Sequence, residues 1–146
     1  MLVGRRLLTG VYPPDLAEGT WSSLVQETLS RLLGDQIEHV SWNLPPEIDD
    51  VDPHRAITAY RIVIEAVRNA LRHGQAKQVV VCGSLLEDTW HVDIGDNGSG
   101  FDVSAIPSDR FGVRVMIGRA QLVGGSLRID SQPGGPTTVK FRFPAR

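Results

Sequence analysis

The order of elements along the chain predicts an α+β fold: a two-layer α/β sandwich with a five-stranded, mixed sheet and three helices on one face. Three observations carry this. The stretch from Asp52 to Gly74 (DPHRAITAYRIVIEAVRNALRHG) has helical periodicity and both ends marked. Two pairs of alternating segments, 77–86 with 89–96 and 126–132 with 137–143, are separated by turn residues and read as hairpins. Two further helical segments, 21–33 and 112–125, complete the order helix, strand, helix, two strands, helix, two strands. At 146 residues, 41% hydrophobic and 22% charged, the composition is that of one globular domain with a real core.

Residues 1–9 look like the end of a helix that begins upstream, and 10–19 (GVYPPDLAEG) a turn-rich connector, so 1–19 is read as a tail and 20–146 as the domain. Thr20 or Ser22 caps the first helix, whose core face is Trp21, Leu24, Val25, Leu29, Leu32 and Leu33, and Gly34 ends it. IEHVSWNL (37–44) alternates and predicts a strand; PPEIDDVD is a loop. In the central helix Asp52 is the N-cap, Pro53 the first helical residue and Gly74 the left-handed cap. Its apolar arc is Val63, Ala66, Val67, Ala70 and Leu71. KQVVVCGSLL and TWHVDIGD form a hairpin around Glu87-Asp88, with Cys82 a buried strand thiol. GVRVMIGRAQLVGG is a helix weakened at Gly118 by ~1 kcal/mol relative to alanine. SLRIDSQ and TTVKFRF pair around PGGP.

The polar arc of the central helix holds Arg61, Glu65, Arg68, Asn69, Arg72 and His73. Glu65, Asn69 and His73 are four apart and stack in one stripe. A carboxylate, an amide oxygen and an imidazole beside arginines can handle a metal, a phosphate and a proton. The same pattern also suits a solvated face with Glu65 paired to Arg61 and Arg68. Asp96, Gly98 and Gly100 (D-x-G-x-G) follow a strand. Asp96 can accept from an exocyclic amine there, and the glycines allow close approach of a ligand to the backbone. A plain turn would look alike, whereas a calcium loop lacks its remaining ligands. Gly112 opens the next helix, whose free N–H groups face an anion. Thr137 starts the last strand.

The net charge of −2 argues against a nucleic-acid binder. The single cysteine excludes an internal disulfide and suits a reducing, cytoplasmic setting. No apolar run reaches the ~18 residues of a membrane span, and no signal peptide is expected.

E-x-x-x-N on a helix, D-x-G-x-G after a strand, a glycine-opened helix and GG…PTTV, in that order, resemble the Bergerat-fold (GHKL) ATPases, which include gyrase, the heat-shock chaperone ATPase, MutL and the histidine kinases. YRIVIEAVRNALRH and FGVRVMIGRAQLVGGSLRIDSQPGG look like the catalytic ATP-binding domain of NarX- and DesK-type sensor histidine kinases. The resemblance covers residues 20–144. It implies Mg²⁺ coordination by Asn69, a catalytic acid at Glu65 that orients or deprotonates the attacking group, and basic contacts to the phosphates from Arg72 and His73. It also implies adenine recognition by Asp96 with Gly98 and Gly100 shaping the pocket, support of Asp96 by Thr137, and an ATP lid at 102–111 ending at Gly112. Two departures stand out: Arg114 falls where the broader superfamily has a second lid glycine, and Gly118 replaces the acid of M-R-E-R-A. His39, His54 and His91 are read as structural or surface residues, and no acceptor histidine motif is present. The implied ligands are ATP and Mg²⁺. The implied partners are a separate histidine-bearing dimerisation domain and, through it, a response regulator; the domain alone is expected to be a monomer without membrane contact. Two alternatives are an anti-sigma-factor type serine kinase of the same fold and a nucleotide-sensing module without transfer activity.

Overall fold

A computed structural model describes residues 20–72, 75–102 and 111–145. The elements are α1 (Trp21–Leu33), a 3-10 turn (Gly34–His39), β1 (Val40–Asn43), a second 3-10 turn (Pro46–Asp50), α2 (Pro53–Arg72), β2 (Val79–Leu86), β3 (Thr89–Asp96), α3 (Phe111–Leu122), β4 (Ser126–Ser131) and β5 (Thr137–Pro144). The sheet order is β1-β2-β3-β5-β4. β1 and β2 are parallel, with α2 as the crossover that a parallel pair needs, and the other neighbours are antiparallel. The predicted α+β sandwich, three helices over a five-stranded mixed sheet, is the fold observed.

The helix ends follow local chemistry. The Thr20 hydroxyl accepts from the Ser23 N–H at 3.2 Å and caps α1, while Ser22, the other candidate, binds Asp49 instead (N to Oδ1, 3.0 Å). Asp52 accepts from the Arg55 N–H at 3.0 Å and is the α2 cap. The predicted C-cap Gly74 lies outside the described residues, as do the predicted tail 1–19 and lid positions 103–110. α3 ends in a Schellman motif: Gly125 N–H bonds Ala120 O, Gly124 N–H bonds Gln121 O, and Gly124 has φ +74°. Glu87 and Asp88, both at positive φ, make the tight turn between β2 and β3.

Strand alternation decides what the helices cover. In the β2–β3–β5–β4 register, Val81, Ile94, Val139 and Ile129 form one row and Gly83, Val92, Phe141 and Leu127 the next, all on the helix-facing side. Trp90, Phe141 and Phe143 are buried there, each adding about 1.5–3 kcal/mol of hydrophobic stabilisation. The other face carries Asp93–Arg142 (2.6 Å) and Asp130–Lys140 (2.7 Å) ion pairs. α2 runs over the sheet between α1 and α3, and it is buried well beyond its predicted arc, at Ala56, Ala59, Tyr60, Ile62 and Ile64 as well. The Tyr60 hydroxyl meets Thr28 Oγ1 at 2.7 Å, and Trp21 Nε1 donates to Ala56 O at 2.8 Å, which ties α1 to α2.

Three expectations are corrected. Residues 37–39 are not strand: they close the first 3-10 turn, because Ile37 and Val40 are three apart and only Val40, Trp42 and Leu44 keep the period of two. Leu32 is 45% exposed rather than core. Cys82 is half-buried on the outer face opposite Asp93, since it alternates with the buried Val79 and Val81. Of the remaining histidines, His54 is exposed in the first turn of α2, while His39 and His91 are partly buried.

Candidate functional site

One cross-strand row differs from those beside it. Val79 pairs with Asp96, Asp96 with Thr137, and Thr137 with Ser131. By parity these polar side chains point the same way as Ile94, Val139 and Ile129, into the space under the helices. Asp96 and Thr137 close one end of an open cleft of about 490 Å³, solvent mouth included, between α2, α3 and the sheet. Asn69 on α2, Phe101 and Met116 form its walls, while Ile94, Ile129 and Val139 make an apolar floor. An apolar slot with a few convergent polar groups suits a planar heteroaromatic ligand.

Asp96 is the centre of this end. Its Oδ1 accepts from the Gly98 N–H at 2.7 Å. Burial pushes its carboxyl above the usual range, and the N–H groups of Gly98 and Thr137 pull the other way. The result is a partly desolvated acceptor held in a fixed direction. Thr137, 9% exposed, sits beside it with its hydroxyl 2.6 Å from Ser131 Oγ. The loop after β3 is bound to the β4–β5 turn: Gly134 N–H donates to Ser99 O at 2.6 Å, and Phe101 N–H donates to Ser131 Oγ at 3.0 Å. Gly100 has φ +67°, and a Cβ there would run into the carbonyl oxygens of Gln132 and Gly135. Glycine is therefore required at this position by the close approach of the chain's own β4–β5 turn, rather than of a ligand. Asn97 adds a second tie, its Oδ1 accepting from the N–H groups of Lys77 and Gln78 at 2.9 Å each.

The facing wall is α2. Asn69 is half-buried and lines the cleft; Glu65, one turn earlier, is also half-buried, and Arg72 is exposed at the helix end. Among the described residues no ion pair joins Glu65 to Arg61 or Arg68, so the salt-bridged face is not formed. Arg61 is instead depressed by burial and then by the neighbouring Arg119, and its Nε is buried without a partner. Gly112 lies in the first turn of α3, which begins one residue earlier than predicted. Arg114 and Gly118 are exposed, with open space around Gly118.

The fold thus brings Asn69, Asp96 and Thr137 into one cleft, with Gly98 and Gly100 in the loop behind Asp96. Glu65 and Arg72 are on the same helix but outside the cleft lining, and His73 lies outside the described residues. Sequence reasoning missed Phe101 and Ser131. The signal for Ser131 is its spacing of two from Ile129 and four from Leu127, which puts it on the helix-facing side of β4.

Asn69 and Glu65 offer hard oxygen donors on one helical stripe. No group of three or more His, Cys, Asp or Glu side chains able to hold a metal occurs among the described residues. Such a donor set fits a Mg²⁺ ion that takes one protein ligand and completes its shell with phosphates and water.

Comparisons with known proteins give the family and the fold. Residues 54–146 match the family model described as histidine kinase-, DNA gyrase B-, and HSP90-like ATPase. Over 104 residues the chain is 36% identical to the nitrate/nitrite sensor protein NarX of Escherichia coli (strain K12), covering 71% of this chain and 17% of that protein. Over 140 residues it is 32% identical to the nitrate/nitrite sensor protein NarQ of the same organism, covering 95% of this chain and 25% of NarQ. The chain therefore spans a quarter or less of these relatives. The histidine kinase domain of the Erythrobacter litoralis EL346 blue-light activated histidine kinase shares the fold, with a TM-score of 0.65 at 18% identity over 86% of this chain and 65% of that one. With Asn69, Asp96 and Thr137 on one cleft and a family model that matches well over half of its length, this chain belongs to the histidine kinase-, DNA gyrase B-, and HSP90-like ATPase family.

Proposed function

We propose that this chain is the ATP-binding catalytic domain of a two-component sensor histidine kinase, working in the cytoplasm with Mg·ATP. One observation carries the reading: a partly desolvated carboxylate, Asp96, ends an apolar slot whose opposite wall presents the amide of Asn69. Adenine fits the slot, its exocyclic amine donating to Asp96 with Thr137 alongside. The triphosphate then extends along α2. Asn69 supplies an oxygen to Mg²⁺, and Arg72 and His73 contact phosphate. Gly112, in the first turn of α3, lies where helix N–H groups are free for an anion. Mg²⁺ supplies charge neutralisation as negative charge redistributes over the transferred group.

Phosphoryl transfer asks for placement more than covalent help. An imidazole nitrogen of the acceptor, on a separate dimerisation domain, forms a bond to the γ-phosphorus as the bond to the ADP oxygen breaks. Glu65, one turn from Asn69, is the carboxylate that orients that imidazole or takes its proton. A response regulator then receives the phosphoryl group from the histidine. Among the described residues no helix is long and apolar enough to cross a membrane, and the isolated domain is expected to be a monomer without membrane contact.

The test is radiolabelled transfer in trans. This polypeptide alone should bind Mg·ATP and take no label, since none of its four histidines sits in an acceptor motif. Adding a dimerisation domain with an intact histidine should label that domain with an acid-labile, base-stable phosphoryl group, and Glu65→Ala should reduce the labelling. Acid-labile label on this chain by itself would refute the separate acceptor. Acid-stable label on an added protein serine would establish the anti-sigma type of kinase instead.

A further inference from the structure

The polar row at the end of the sheet does not stop at the two residues that touch the cleft. Its last member, Ser131, does not line the cleft, yet its hydroxyl sits between two groups that do. Ser131 Oγ accepts from the Phe101 N–H at 3.0 Å and lies 2.6 Å from Thr137 Oγ1. Phe101 is a wall of the cleft, and Thr137 is the buried hydroxyl next to Asp96. Between Ser131 and Thr137 only one hydroxyl hydrogen can occupy the short contact.

We propose that Ser131 is a positioning residue for nucleobase recognition, donating to Thr137 so that the Thr137 hydroxyl hydrogen is free to point at an acceptor nitrogen of the base. The inference rests on the adenine-nucleotide reading above. Three facts favour this direction. Ser131 already accepts one hydrogen bond from a backbone N–H, so its own hydrogen is the natural donor to the second oxygen. Thr137, rather than Ser131, faces the cleft, so a hydrogen released at Thr137 is one a ligand can use. The neighbouring Asp96 is an acceptor, and an acceptor beside a donor is the complement of the adenine edge, with its amine beside a ring nitrogen. Ser131 thereby also fixes where residue 101, in the loop after β3, meets β4, so one hydroxyl sets both the base-reading polarity and the position of the aromatic wall.

The experiment is calorimetric binding of ADP and of inosine diphosphate, whose base edge presents an oxygen and an N–H in place of the amine and acceptor nitrogen. The proteins are wild type, Ser131→Ala, Ser131→Thr, Thr137→Val, the Ser131→Ala/Thr137→Val double variant and Asp96→Asn. Ser131→Ala should weaken ADP about five- to tenfold, the scale of one lost hydrogen bond, and inosine diphosphate much less, so the preference for ADP shrinks. Ser131→Thr keeps the hydroxyl and should stay within about twofold of wild type. The double variant should bind ADP no more than about twofold worse than Thr137→Val, because both changes break one relay. If Ser131→Ala does not fold, Ser131→Cys, which keeps the volume and bonds weakly, should show the same loss. Full additivity, equal weakening of both nucleotides, or unaltered ADP binding in Ser131→Ala would overturn the role. Wild type that binds ADP no better than inosine diphosphate, with Asp96→Asn unaffected, would instead bring down the adenine reading and this inference with it.

Discussion

The two ends of the cleft are built in different ways. At the sheet end every polar side chain already has a protein partner: Asp96 holds Gly98, Thr137 meets Ser131, and Ser131 holds Phe101. At the α2 end, Glu65, Asn69 and Arg72 make no side-chain hydrogen bond or ion pair among the described residues. The first end is stiff, tied across three strands and a loop. The second presents its groups on a rigid helix but leaves their heads uncommitted. A planar base of fixed hydrogen-bond pattern is best met by a preset edge, because binding then spends little on ordering. A flexible, metal-bound polyphosphate is met by donors that adjust. Mutations at the two ends should therefore differ in kind: loss of affinity for the base at one, loss of metal dependence at the other.

The largest effect is expected from Asp96→Asn. The amide can still accept from Gly98, so the loop survives, but it can also present its NH₂ to the amine of the base. We expect at least about a hundredfold loss of ADP affinity, since a mispaired buried polar group adds to the lost charge-assisted bond. The apo protein should melt no lower than wild type. Calorimetry with thermal melts checks both, and retained affinity would break the distinction between the two ends.

Asn69→Ala sharpens the other side. Mg·ATP binding should weaken about tenfold or more, the scale seen for lost metal-site groups, while ADP without metal changes by less than about threefold. Equal loss with and without Mg²⁺ would remove Asn69 as a metal ligand and make it one more wall of the pocket.

How much of this was legible in the sequence depends on whether the cause is local. The fold class was, because periods of 3.6 and 2 and capped ends are written into single segments. α1, α2 and α3 and the two hairpins come out within one or two residues, except that α3 stops at Leu122, short of the predicted 125, and enters its glycine cap. β1 was overextended because its alternation runs into a 3-10 turn whose only cue is the three-residue step from Ile37 to Val40. The breadth of α2 burial was hidden for another reason: Tyr60 is covered by α1 through Thr28, information that sits in the partner and not in the helix. The same holds at the site. Asp96 is marked by its own D-x-G-x-G, and Thr137 by following PGGP. Ser131 carries the right parity, but its function appears only once β3–β5 and β4–β5 pairing put Asp96, Thr137 and Ser131 in one row.

A smaller effect should follow Gly100→Ala. The residue is in the left-handed region and packed against the carbonyls of Gln132 and Gly135, so a methyl group must push the loop off the β4–β5 turn. We expect destabilisation of about 1–3 kcal/mol and a several-fold loss of ADP affinity. The same change at Gly118, which faces open space, should leave binding intact and raise helix stability by up to ~1 kcal/mol. Melting curves of the two variants make the comparison.

The smallest effect is the pH dependence that Asp96 adds at the sheet end. Burial raises the Asp96 carboxyl above its ordinary value of 3.8, and the folded, free protein therefore holds that proton more tightly than the unfolded chain does. By linkage, the contribution of Asp96 to stability is fully present below the unfolded value and is lost as pH rises through the folded one, because the desolvated charge is then present. Nucleotide binding runs in the opposite sense: the charged carboxylate is the form that accepts from the amine, so ADP affinity should fall as pH drops through the raised value of Asp96. Asp96→Asn removes the titration. Its stability relative to wild type should thus improve from acid toward neutral pH, while its weak ADP binding keeps only the pH dependence common to both proteins, such as that of the nucleotide's own phosphate, which titrates at about pH 6. Parallel melts and titrations between about pH 4 and 7 test both arms, spanning the interval above the ordinary carboxyl value. Equal pH slopes in the two proteins would place the titrating group elsewhere and leave Asp96 as a fixed acceptor without a proton of its own to lose.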